Sequence, residues 1–166
     1  MLNKLILKNK KIIIIFLTSI LLYLCGFFYY NEIYMMYALD FFVPLTAKIE
    51  KINYREDYVI EIEQLTIISL TPKENSYVKR KIENSPNWYQ DKINEKLFSF
   101  MEYNFDEKFL NKLSNIENYY WIFYNRNNNI KNRRSIAEMW KNQYQDFAIG
   151  IYDTNNGILY YYEFEM

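Results

Sequence analysis

The feature that most constrains this chain is residues 12–30, IIIIFLTSILLYLCGFFYY, a run without one charged side chain. A helix of about 20 such residues spans the roughly 30 Å hydrocarbon core of a bilayer. A helix packed at the surface of a soluble core would show a polar face, and this run has none. Lys4, Lys8, Lys10 and Lys11 precede it, and Phe27, Phe28, Tyr29 and Tyr30 close it as an aromatic belt. The reading is a single transmembrane helix over 12–30. The positive-inside rule then makes residues 1–11 a cytoplasmic basic tail and puts the C-terminal bulk outside, in a bacterial inner membrane crossed once. A cleaved signal peptide competes, but its apolar region is usually about 7–15 residues and is followed by a small-x-small site, which is missing here. Lipid attachment at Cys25 is the other competitor. Leu22, Tyr23 and Leu24 before it lack the small residues such a site needs.

What remains is enough for one domain. The chain has 166 residues, 51% of them hydrophobic, so a packed core is available. Its 20 basic and 20 acidic residues cancel, but four of the basic ones lie in the N-terminal tail, so residues 31–166 hold 16 against 20 and carry net −4. That balance argues against nucleic acid as a partner. Histidine is absent and Cys25 is the only cysteine. Intrachain disulfides, Ser-His-Asp triads, Cys-His pairs and His/Cys zinc cages are thereby excluded. The three glycines, Gly26, Gly150 and Gly157, are too scattered for a phosphate-cradling loop. No cofactor is expected. The abundance of Tyr, Phe, Ile, Asn and Lys reads first as the imprint of AT-rich codons and only second as a binding surface.

Along the outer part, residues 31–57 read as a helical stalk and linker. Tyr30, Ile33, Tyr37 and Phe41 share a helical face, and Pro44 marks the stop. The same segment could instead lie along the membrane surface. Residues 58–166 read as the extracytoplasmic domain. Residues 58–71 alternate as a strand, with a parity change that suggests a bulge near Gln64 and an end at Pro72. Ser85-Pro86 signals the start of a helix carrying Tyr89, Ile93, Leu97 and Phe100. A second helix is predicted over 106–115, with Asn104 and Glu107 as a capping pair. A third, short one follows the Ser135–Glu138 capping box and carries Met139 and Trp140. Residues 119–124, YYWIFY, suit a central strand. Residues 146–152 and 158–164 form a hairpin through Asn156-Gly157. The fold class is therefore α+β: an N-terminal transmembrane helix, then a small, mostly antiparallel sheet with two to three helices packed on one face. The architecture resembles type IV pilins, but the processing site and the early acidic residue of that family are absent, so no function carries over.

Three constellations could carry chemistry. Arg126, Lys131, Arg133 and Arg134 sit in an Asn-rich loop that could contact a phosphate, an acidic partner or anionic headgroups, or be a solvated loop. Glu61 and Glu63 would share one face of a strand roughly 7 Å apart. That resembles a glycosidase or calcium arrangement, or an exposed polar face. Trp88, Trp121 and Trp140 could stack on sugars, though each also fits a core position. With no assembled catalytic set, the leading expectation is a membrane-anchored envelope protein. It would contact lipid through its N-terminal helix and a protein partner through its outer domain. A membrane-anchored carbohydrate or cell-wall enzyme using carboxylates is the alternative.

Overall fold

The computed structural model describes residues 14–20, 22, 33–53, 62–93, 95–104, 107–127, 129–131 and 146–165. They belong to two compact units, Met1–Met35 and Met36–Met166. In the first unit residues 14–20 and 22 are helical, and Ile14, Ile15, Phe16 and Leu17 are exposed. Among the described residues no helix is long and apolar enough to cross a membrane. The rest of the predicted span 12–30 lies outside them.

The second unit is an α+β fold around a five-stranded, wholly antiparallel sheet. Its strands are β1 (Lys48–Asn53), β2 (Ile62–Ser69), β3 (Tyr119–Asn125), β4 (Asp146–Asp153) and β5 (Ile158–Glu165), in the order β1-β2-β5-β4-β3. Its helices are α1 (Pro72–Glu83), α2 (Glu95–Asn104) and α3 (Glu107–Ser114). The predicted C-terminal hairpin is present. Gly157 takes the left-handed conformation (φ 63°) that a side chain resists, and the buried Asp153 carboxylate accepts from the Asn155 and Asn156 amides at 2.9 and 3.1 Å. The predicted helix over 106–115 is α3, although Asn104 itself ends α2.

The sheet is buried on both faces, which corrects the expectation of helices on one. On the front, Leu65, Trp121, Phe147, Ile149 and Tyr162 pack with Leu97 and Met101 of α2 and Leu113 of α3. On the back, the alternate residues Ile68, Ala148, Tyr152, Leu159 and Tyr161 are equally buried. A strand apolar at both parities needs cover on both sides. α1 supplies part of it: Asn75 Oδ1 accepts the Tyr152 hydroxyl, and Val78 and Ile82 continue that buried helical stripe. Residues 36–43 supply the rest, with Leu39 and Trp88 closing over Gly150.

Several local readings change accordingly. Pro72 does not merely end a strand; it opens α1. Thr71 is the N-cap, Pro72 occupies the first turn and Glu74 completes a capping box, its carboxylate accepting the Thr71 amide at 2.7 Å. Ser85-Pro86 begins no helix. Residues 84–87 form turns, Tyr89 makes an isolated bridge to Trp121, and the helix starts at Glu95. β2 pairs with β5 residue for residue over 62–69, without a bulge; residues 58–61 lie outside the described ones. β3 is an edge strand rather than a central one; its side chains from Trp121 to Asn125 are buried, and Tyr89 covers part of its free edge through two 2.8 Å backbone hydrogen bonds with Trp121. Within the predicted stalk and linker 31–57, Lys48–Asn53 is the opposite edge strand. Its Lys and Glu side chains suit an exposed sheet edge. The helix predicted from Ser135 lies outside the described residues.

Candidate functional site

The basic loop is the first candidate, and two of its four cations are engaged within the fold. Arg126 follows β3 directly and its side chain is only 9% exposed. Its guanidinium meets Glu163 at 2.6 Å, Asp146 at 3.2 Å and Glu165 at 3.5 Å. These carboxylates lie together because Asp146 and Glu165 are directly cross-strand and Glu163 is two residues along β5 on the same face. Burial works against the charge of Arg126, but Glu163 and Asp146 outweigh it and raise its pKa. Burial also pushes the Asp146 and Glu163 carboxyls up, against the pull of Arg126. Lys131 pairs with Asp40 and lies 4.1 Å from the Tyr37 ring centroid. Arg133 and Arg134 lie outside the described residues.

The carboxylate pair does not assemble as an open site. Glu63 is buried on the front face and accepts a 3.0 Å hydrogen bond from the Tyr162 hydroxyl, and Glu61 lies outside the described residues. Trp88 and Trp121 are core residues. Their indole nitrogens donate to the Leu39 and Asp91 carbonyls, each at 2.8 Å, which satisfies the polar edge of a buried ring. Trp140 lies outside the described residues. Among the described residues no group of three or more acidic or Cys side chains is arranged to hold a metal ion.

Sequence reasoning missed a cleft of about 590 Å³ on the front face, where α2 and α3 meet the start of β3. Ile93, Leu113 and Ile151 form its floor, half-buried Phe98, Ile116 and Tyr119 its walls, and exposed Lys92, Glu95, Ser99 and Ser114 its rim. Leu97 and Met101 turn one stripe of α2 into the core, which leaves Phe98 and Ser99 on its flank, facing the opening. The Tyr119 hydroxyl accepts from the Ile93 amide at 3.3 Å and so ties β3 to the segment leading into α2. The volume lies in the range of ligand-binding clefts, roughly 300–1,000 Å³.

No protein-family model, curated protein or solved structure matches the chain. The cleft must therefore be read from its own chemistry. Its rim holds one amine, one carboxylate and two hydroxyls over an apolar floor. Among the described lining residues Glu95 is the one carboxylate. Its apolar floor suits apolar side chains, and its polar rim suits the backbone that would carry them.

Proposed function

We propose that this is a single-pass, membrane-anchored bacterial envelope protein whose outer domain is a protein-binding module. Residues 12–30 form the anchor, with the N-terminus in the cytoplasm and the C-terminal domain outside. The observation that carries the binding role is the cleft: an apolar floor in a rim of mixed charge, at the junction of two helices and a strand. A seat with this anatomy suits an apolar side chain presented by an envelope protein, because binding cores are apolar and rims polar. The enzyme alternative finds less support, since Glu63 is hydrogen bonded to Tyr162 and is not among the cleft residues.

Two measurements test this. A reporter fused after Met166 is expected to be active only in the extracytoplasmic compartment; activity confined to the cytoplasm overturns the topology. A photo-crosslinking residue at Ser99 or Ser114, on the cleft rim, is expected to capture a discrete envelope protein in living cells, while the same residue at exposed Asn155 captures none. Equal capture at all three positions, or no capture at the rim, removes the cleft from the proposal.

A further inference from the structure

The outer domain carries a second surface whose chemistry the cleft does not explain. Phe41 and Val43 are buried, whereas Phe42 between them is 74% exposed and Leu45 is 92% exposed. Leu45 occupies a corner of a β-turn closed by a 3.0 Å hydrogen bond from the Ala47 amide to the Pro44 carbonyl. Turn corners ordinarily take Gly, Pro, Asn, Asp or Ser, so a fully extruded leucine needs a reason. The turn is also fixed in place. Phe41 and Val43 root it in the core, and the Thr46 hydroxyl donates to Glu74 in the first turn of α1. Two large apolar side chains are thus held out on a rigid support.

Their location is equally informative. Exposed large apolar residues scattered singly over a surface need no explanation. Here, among the described residues of the second unit, they fall at Tyr37, Phe42, Leu45, Ile49 and Ile130, four of the five within one short segment. That segment follows the apolar run closely in sequence: five residues join Tyr30 to Met36, at most about 20 Å of chain. Exposed Lys48 lies three positions after Leu45, and exposed Lys73 sits beside the Glu74 that anchors the turn. Aromatic and aliphatic side chains flanked by lysines suit a bilayer interface, where ring and chain enter the acyl boundary and amines meet anionic headgroups.

We infer that the turn carrying Phe42 and Leu45 is a membrane-contact element that seats the outer domain on the bilayer surface. This rests on the proposed anchoring by residues 12–30. The occupant is the lipid interface itself, and a second copy of the chain is the competing outcome. The test uses the full chain in a Cys25→Ala background, reconstituted in vesicles of phosphatidylethanolamine and phosphatidylglycerol. Phe42→Cys, Leu45→Cys and, as control, Asn155→Cys are each labelled with an environment-sensitive fluorophore. Co-flotation with the vesicles reports the anchor. Labels at 42 and 45 are expected to shift to the blue, to lose most of their emission to spin-labelled lipid and to resist iodide, while the label at 155 stays sensitive to iodide. If the chain floats but the labels at 42 and 45 are as iodide-sensitive as that at 155, the contact is refuted and the anchor stands. Protection from iodide without quenching by spin-labelled lipid means a second copy covers the turn, which also refutes it. A chain that does not float overturns the anchor and this inference with it.

Discussion

The back of the sheet offers a sharp test of whether residues before β1 belong to the core. Leu39 is fully buried and Gly150 lies beneath it. A methyl group added at Gly150 would stand 2.7 Å from Leu39 Cδ2, 2.8 Å from Ile122 Cγ2 and 3.0 Å from the far edge of the Trp88 ring. All three side chains are buried, and Trp88 is further held by its 2.8 Å hydrogen bond to the Leu39 carbonyl. Overpacking of this kind costs about 1–3 kcal/mol, of which the lower backbone entropy of alanine returns about 0.5–1. A net loss of roughly 1 kcal/mol is expected for Gly150→Ala. Leu39→Ala empties a fully buried site and should cost about 2–5 kcal/mol. Because Leu39 supplies the shortest of the three contacts, the double variant should be less destabilised than the sum of the singles, by about 1 kcal/mol. Urea unfolding of the full chain in mild detergent, followed by tryptophan fluorescence, gives the three values if the m-values agree. Additivity within about 0.3–0.5 kcal/mol would show that the two residues are not neighbours. A loss below about 0.5 kcal/mol for Leu39→Ala would place it on the surface and refute the back cover altogether.

Other perturbations probe the rest of the fold. A fragment starting at Met36 should unfold cooperatively, whereas one starting at Lys48 lacks Leu39, Phe41 and Val43, exposes the back of the sheet and should aggregate; circular dichroism and size-exclusion chromatography separate the two. Thr71→Ala removes the N-cap of α1 and should cost about 1 kcal/mol in urea unfolding. Arg126→Met leaves three clustered carboxylates without their shared cation and should cost roughly 2–3 kcal/mol at neutral pH, less than the 3–5 of a fully buried pair because Glu165 stays half exposed. Asp146 and Glu163 already have raised pKa values, so the native state binds protons before the unfolded chain does, and stability rises as pH falls toward the ordinary carboxylate range. That rise should be steeper in Arg126→Met than in the parent, and equal slopes in thermal melts across this range would count against the cluster.

What could be read from the sequence was whatever is encoded locally. The hairpin around Asn156-Gly157 and the apolar face of α3 announce themselves within a few residues, and both are found where expected. The capping box Thr71-Pro72-Lys73-Glu74 is just as local, and α1 could have been found from it; reading Pro72 only as a strand breaker hid the helix that it opens. β3 was misplaced for a different reason. An aromatic, β-branched run marks a strand covered on its faces, and an edge strand can be covered as fully as a central one, as β3 is with the Tyr89 to Trp121 bridge along its edge. The cleft had no local signature at all. Its lining comes from four stretches between Lys92 and Ile151, and each residue alone reads as ordinary core or surface.

The back cover shows why a segment so apolar reads locally as a stalk. Residues 36–43 carry no strand alternation, and Asp40 looks like an interruption of an apolar stretch. In the fold Asp40 is the residue that fixes the segment. It adopts a positive φ of 66°, which Asp tolerates better than most side chains, and so ends the helical turn abruptly. Its carboxylate then accepts from Ser85 Oγ at 3.0 Å and Asn87 Nδ2 at 2.6 Å and pairs with Lys131. Ser85 and Asn87 lie in the turn after α1 and Lys131 in the loop after β3, so one side chain ties three distant parts of the chain together. The Trp88 bond to the Leu39 carbonyl, one residue away, secures the same point. The partners of Asp40 lie 45, 47 and 91 positions away, beyond any local pattern. The same anchorage sets the direction in which Phe42 and Leu45 project, so the stability of the cover and the orientation of the proposed membrane contact have a common origin.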